Sequence, residues 1–178
     1  GNCDVPNESV LIFPSGILGF PDCRRYVILE HDTEAPFKWL QSLDEPGLAF
    51  VVLDPAYFDA EYNVQAPTEA LVEVQGNDDD ELIVSVLLTI PSDDPTGITA
   101  NLRGPLIMNP RTKLCKQLIL SDNYPTRFPL FANTSPASPS SNATQASAGI
   151  IGTRVVSLQV PNNNPKTITG IKRFIRTL

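Results

Sequence analysis

The chain has 178 residues, of which 42% are hydrophobic and 19% charged, a composition that excludes an intrinsically disordered chain. No stretch approaches the roughly 18 apolar residues of a membrane-spanning helix, and no charged segment followed by an apolar one marks a secretory signal. The formal net charge of −7 argues against the large basic face that nucleic acid requires. These features predict a cytoplasmic protein that binds neither a membrane nor nucleic acid directly.

Short apolar runs separated by turn residues predict a series of β-strands. Val10–Phe13 and Tyr26–Leu29 are the first two, and Phe37–Ser42 alternates apolar and polar residues as a strand with one solvated face does. Leu48–Leu53 is an uninterrupted apolar run typical of a strand buried on both faces, and Leu82–Ile90 is the longest such signal.

A single helix signal interrupts the strands. Residues 66–75 carry Pro67 near the first turn and Glu69 close to the positive end of the helix dipole, which favours a short helix. Further strand signals follow at 106–109 and 116–120. The sequence therefore predicts a mainly β, antiparallel fold, and a partly open β-barrel would protect the edges of so many short strands.

The composition divides the chain into three parts. Residues 1–131 form an acidic β-barrel body with a net charge of −12. Residues 132–149 lack Val, Ile, Leu and aromatic side chains, so they are predicted to be a flexible Ser/Pro/Ala/Asn linker spanning about 23 Å. Residues 150–178 are predicted to be a basic extension with a strand at Ile150–Val160 and an amphipathic helix at 165–178. An alternative function for the protein is weak attachment to a membrane through this helix.

The residue types needed for catalysis or metal binding are sparse. The three cysteines, Cys3, Cys23 and Cys115, form no CxxC spacing, and His31 is the single histidine. No metal site, cofactor or catalytic residue is predicted, because a structural zinc site needs four such ligands and no nucleophile motif occurs. A thiol-dependent enzyme that uses Cys23 or Cys115 remains the alternative to a binding protein.

Six segments of the body follow one another in a pattern that a known family shares. They are Phe13–Phe20, Phe37–Ser42, Leu48–Pro55, Thr99–Asn109, Lys116–Leu120 and Tyr124–Leu130. Taken together in this order and spacing, they resemble the bacterial flagellar assembly factor family, FliW. The resemblance covers about residues 1–131.

The resemblance implies a non-enzymatic protein with a mainly β, partly open barrel. It implies two partners, newly made flagellin and CsrA, an RNA-binding translational repressor that blocks flagellin mRNA. In this family, export of flagellin frees the assembly factor to sequester CsrA, which couples flagellin translation to filament assembly. The acidic body suits a basic RNA-binding partner, since charge complementarity speeds encounter. The alternative is a cytosolic β-barrel adaptor of another pathway.

Two features depart from the family pattern. Family members usually have another strand of about ten residues before the position of Gly1, and residues 132–178 have no recognised counterpart. As a hypothesis, Ile150–Val160 fills the barrel edge that this strand would cover, in the same molecule or a neighbour. The alternative is an extension unrelated to the barrel.

Nine residues are candidates for contact with a partner, each with a structural alternative. Phe20 belongs to a glycine-rich turn that can instead bury its aromatic side chains, and Asn101 is expected to hold a turn. Arg127 is expected to pair with a carboxylate across the barrel mouth. The other candidates are acidic loop residues that cannot all be buried, although solvation alone would explain them: Asp78, Asp79, Asp80, Glu81, Asp93 and Asp94.

Overall fold

The computed structural model describes residues 9–30, 36–131 and 153–156. The strands of these ranges are β1 (Val10–Ile12), β2 (Arg25–Glu30), β3 (Lys38–Ser42), β4 (Ala49–Leu53), β5 (Val64–Pro67), β6 (Ile83–Thr89), β7 (Thr99–Ala100), β8 (Leu106–Met108), β9 (Cys115–Gln117), β10 (Phe128–Pro129) and β11 (Thr153–Val156). One α-helix, α1, spans Thr68–Glu73, and short 3-10 turns follow β4 and precede β7.

A curved antiparallel sheet forms the body, in the order β1-β2-β3-β4-β6-β7-β10. The long strand β6 is its branch point, because one half pairs with β4 and β7 while the other half pairs with β8, which in turn pairs with β9. In the described residues, β1 at one end of this order meets the β8–β9 branch through a single parallel bridge between Ile12 and Leu114. The sheet is therefore not closed, and the predicted mainly β, partly open barrel with one short helix is confirmed.

Strand β8 carries apolar side chains on both of its faces. In β8, Leu106 packs into the barrel interior with Tyr26 and Val52, while its neighbour Ile107 packs on the opposite face. On that second face, β5 and α1 cover the sheet with buried Val64 and other small apolar residues. The described residues thus form an inner core, an outer core beneath α1, and a third cluster that includes Phe37 and Ile98.

Some predicted boundaries were wrong, for reasons of local backbone geometry. The helix predicted over 66–75 begins only at Thr68, because Pro67 has an extended conformation and ends strand β5, which the sequence did not indicate. The strand predicted over 116–120 lies at Cys115–Gln117 instead.

Several predictions fall outside the described residues. The linker at 132–149, the helix at 165–178, Cys3 and His31 all lie there. Of the predicted strand at Ile150–Val160, the structure describes β11, which pairs antiparallel with β5. In the described ranges, no helix has the length and hydrophobicity that crossing a bilayer requires.

The start of β2 is held by one carboxylate. Asp44 Oδ2 accepts hydrogen bonds from the backbone N–H groups of Arg24 (2.7 Å) and Arg25 (2.9 Å), and the Arg25 Nε donates to Oδ1 at 2.7 Å. These backbone hydrogen bonds, with the Arg25 side chain, lower the pKa of Asp44 from 3.8 to about 2.

We expect Asp44→Asn to lower the free energy of unfolding at pH 7 and to have little effect at pH 2. A depressed pKa stabilises the fold fully above the ordinary value of 3.8, and this contribution is lost as the pH falls toward 2. Thermal unfolding at pH 7, 4 and 2 measures the difference, with Asp22→Asn at a neighbouring exposed position as the control. If the difference in stability between Asp44→Asn and the wild type is the same at all three pH values, the stabilisation does not come from the lowered pKa of Asp44.

Candidate protein-binding surface

A tight loop after β1, here called the glycine loop (Phe13–Phe20), projects apolar side chains from the barrel. Gly16 and Gly19 have φ values of 68° and 89°, in the left-handed region that favours glycine. The Gly16 N–H donates to the Phe13 carbonyl at 2.9 Å, and the Phe20 N–H donates to the Ile17 carbonyl at 2.7 Å. Two successive turns therefore set the course of this loop.

The apolar side chains of the glycine loop divide between the core and the solvent. Phe13 and Ile17 are each 2% exposed and anchor the loop in the barrel. Leu18 is 74% exposed and Phe20 is 39% exposed, although the Phe20 ring also contacts the edge of Phe50 at 5.6 Å between centroids. The sequence analysis named Phe20 but missed Leu18, whose place between two glycines was the available signal.

The position of Leu18 is determined by a buried amide. The Leu18 N–H donates to Gln117 Oε1 at 2.8 Å, and Gln117 Nε2 donates to the Gly104 carbonyl at 3.1 Å. Asn101 Oδ1 accepts from the N–H groups of Arg103 and Gly104, so Asn101 holds a turn as expected. Gln117, which the sequence analysis did not single out, thereby links the glycine loop to the 101–104 turn.

A second anchor comes from α1. Glu73 accepts a hydrogen bond from the Ser15 hydroxyl, and its Oε2 lies 3.0 Å from the Lys116 ammonium. Burial alone would raise the pKa of Glu73, but the hydrogen bonds from Ser15 and Lys116 outweigh it and lower that pKa. The loop is therefore attached through the Ser15 side chain and the Leu18 backbone, while the Leu18 side chain extends into solvent.

The acidic loop after α1 contains one residue that differs from its neighbours. Asp80 accepts two hydrogen bonds from the Arg111 guanidinium (2.8 and 2.9 Å) and one from Asn109 Nδ2 (2.9 Å), and its side chain is 8% exposed. These contacts, with the Arg111 bond foremost, hold the pKa of Asp80 well below its usual range. Asp80 therefore braces the loop, and the sequence analysis missed its partner Arg111.

The remaining acidic candidates lie on the surface. Asp78, Asp79 and Glu81 surround Asp80 in the chain and are exposed. Asp93 and Asp94 are exposed in a separate loop, where Asp94 caps the following 3-10 turn by accepting hydrogen bonds from the Thr96 N–H and hydroxyl. These two loops are the candidate sites for a basic partner.

The expectation for Arg127 requires a correction. Its side chain is exposed, and no carboxylate of the described residues lies within ion-pair distance of it. It precedes β10, a two-residue strand at one end of the sheet.

The structure gives the cysteines different environments. Cys115 is 1% exposed in the barrel core, and burial raises the pKa of its thiol to about 12, so at neutral pH it is not a thiolate nucleophile. Cys23 is partly buried and free. Across the described residues, no three His, Cys, Asp or Glu side chains come close enough to hold a metal ion.

The molecule is an open β-barrel whose loops expose apolar and acidic side chains, and these loops are its candidate protein-binding surfaces. Comparison with known proteins gives the family. The model of the FliW protein family matches residues 1–130. The chain belongs to the FliW family, which confirms the resemblance drawn from its sequence.

Individual relatives agree with this assignment. The chain is 36% identical over 132 residues to a flagellar assembly factor FliW of Natranaerobius thermophilus, covering 74% of this chain and 87% of that protein. It is 40% identical over 122 residues to one from Leptospira biflexa, covering 68% and 80%. A crystal structure of the flagellar assembly factor FliW superposes with a TM-score of 0.69 at 31% identity, covering 76% of this chain and 94% of that one.

Proposed function

We propose that this protein is a cytoplasmic flagellar assembly factor that acts by binding two proteins, flagellin and a CsrA-type RNA-binding repressor, without catalysing a reaction. The observation that carries the proposal is the family match over residues 1–130, which includes both the glycine loop and the acidic loops. Binding of the repressor antagonises it, and binding of flagellin releases it, so flagellin translation follows filament assembly.

We assign the repressor to the acidic loops. Between Trp39 and Leu102 the chain has 13 acidic residues and no Lys, Arg or His. Repressors that bind RNA carry basic surfaces, and a field of opposite sign attracts them and speeds their encounter. Asp78, Asp79 and Glu81 are the exposed members of one such loop.

We assign flagellin to the glycine loop. A protein that polymerises carries apolar surface that is buried in the assembled filament, since permanent interfaces are more apolar than the remaining surface. A factor that holds the subunit before assembly gains affinity by covering part of that surface with apolar side chains of its own. Leu18 and Phe20 are exposed, and the attachments through Gln117 and Glu73 reduce the entropy lost on binding.

We expect Leu18→Asp to weaken flagellin binding at least tenfold and to leave the thermal stability unchanged. A side chain that is 74% exposed contributes little to the fold, whereas a charge buried against an apolar partner is costly. Titration calorimetry with purified flagellin measures the affinity, and Val72→Asp on α1, where the side chain is 71% exposed, is the matched control. Equal affinity of Leu18→Asp and the control would exclude the glycine loop from the interface.

The proposal as a whole is tested by competition. The chain is first bound to an immobilised CsrA-type repressor, and flagellin is then added in increasing concentration. We expect both proteins to bind the chain and flagellin to release it from the repressor. If the chain binds neither the repressor nor flagellin, the proposed function is wrong and an adaptor of another pathway is favoured.

A further inference from the structure

Strand β5 is paired differently from the strands of the barrel. It forms a separate two-stranded sheet with β11, in which Gln65 lies opposite Val155 and Val64 lies opposite Val156. Val64 and Ala66 are fully buried in the outer core, so their side chains fix β5 to the body. In the described ranges, β11 is the strand that pairs with the backbone of β5.

The length and composition of the connection between the body and β11 are compatible with β11 leaving the edge of β5 and returning to it. Residues 132–152 separate the two, and residues 132–149 among them carry no large apolar side chain. A connection of this length keeps its strand near the site at an effective concentration of about millimolar, so any other strand must compete with it. A strand held in this way can leave the edge of β5 without any change in the barrel.

The charge of the side chains around β5 indicates which peptide segments can pair with it. Glu61 and Glu69 are exposed on either side of β5 in the chain, within the stretch from Trp39 to Leu102 that has no basic residue. The strand that pairs with it contains Arg154, and residues 132–178 contain five basic residues and no acidic one. The occupant and its site therefore have opposite charges.

We propose that the edge of β5 is a strand-addition site for an extended, basic peptide segment, and that Thr153–Val156 of the same chain is its resident occupant. Backbone hydrogen bonds supply the affinity in such sites and charge supplies the preference. The occupant also covers an edge that would otherwise pair with other chains. This site uses neither the glycine loop nor the acidic loops at 78–81 and 93–94, so either proposal can fail while the other stands.

A disulfide tests the register in the full chain. With Cys3 and Cys23 replaced by serine, Gln65→Cys together with Val155→Cys is expected to form an intramolecular disulfide at least fivefold faster than Gln65→Cys with Val156→Cys. Adjacent positions of a strand lie on opposite faces, so the second pair is the matched control. Equal rates would overturn the pairing, and covalent dimers at low protein concentration would overturn an occupant from the same chain.

A peptide tests whether the site can accept another strand. A labelled peptide of residues 150–160 is titrated into the wild type and into Val155→Pro/Val156→Pro, which breaks the resident strand because successive N–H groups of a strand alternate in direction. We expect the variant to bind the peptide at least tenfold tighter than the wild type or the linker control Ala146→Pro/Ser147→Pro. We also expect a peptide with Arg154→Glu to bind this variant more weakly than the unchanged peptide does. Equal affinity of the three proteins, or no effect of the charge change, would overturn the proposal.

Discussion

Replacement of Asp78, Asp79 and Glu81 by lysine is expected to slow association with the CsrA-type repressor about tenfold or more at low salt. The three side chains are exposed in a stretch that contains no basic residue, so the reversal turns an attractive local field into a repulsive one. Stopped-flow kinetics at low salt and at about 0.5 M salt measures the effect, which should largely disappear at high salt because screening shortens the range of the field. Asp80 is left unchanged because Arg111 and Asn109 depend on it.

A control separates the local field from net charge. Asp22→Lys/Glu30→Lys/Asp122→Lys changes the net charge by the same amount at exposed positions outside that stretch. It should slow association much less than the loop variant. If both variants slow it equally, the loop is not the place where the repressor binds, and the assignment of this partner to the acidic loop is wrong.

Gly16→Ala is expected to destabilise the protein by about 2–4 kcal/mol, which corresponds to a Tm lower by roughly 5–12 °C. The φ of Gly16 is 68°, and an added Cβ would lie 2.6 Å from the Phe20 carbonyl oxygen and 2.7 Å from the Pro21 Cα. Both atoms are backbone, so the loop itself must move. Because Leu18 is held by this loop, we also expect weaker flagellin binding at temperatures where the variant is folded.

Gly19→Ala is the matched control for this substitution. Its φ of 89° is also strained for alanine, but no atom lies within 4 Å of the added Cβ. We expect a loss of about 1–2 kcal/mol from the backbone conformation alone. Chemical denaturation of both variants gives the comparison, and equal losses would show that the close backbone approach at Gly16 contributes nothing.

Because position 16 accepts only glycine without strain, the backbone of the loop is fixed at this point. Buried Phe13 and Ile17 hold one side of the loop in the barrel, so the exposed side presents Leu18 in one conformation. The structural alternative considered for this turn, burial of its apolar side chains, therefore holds for Phe13 and Ile17. It does not hold for Leu18, which is exposed. Phe20 is partly exposed, and its ring also packs against Phe50.

The sequence by itself determined the features that depend on neighbouring residues. The apolar run at Leu48–Leu53 predicted a strand buried on both faces, and β4 places Val51, Val52 and Leu53 in the core. Turn residues between short apolar runs were enough to indicate antiparallel β structure, because strand period and turn chemistry are local. The family resemblance likewise followed from the order of short segments.

Only the tertiary structure decided which side chains are available to a partner. Asp80 is indistinguishable from Asp79 in the sequence, and its bracing role depends on Arg111, 31 residues away. Leu18 is held by Gln117 across 99 residues, and β5 is paired by β11, which lies far along the chain. Such contacts are formed by chain closure and packing, whose free energy depends on the whole fold, so no local pattern of residues specifies them.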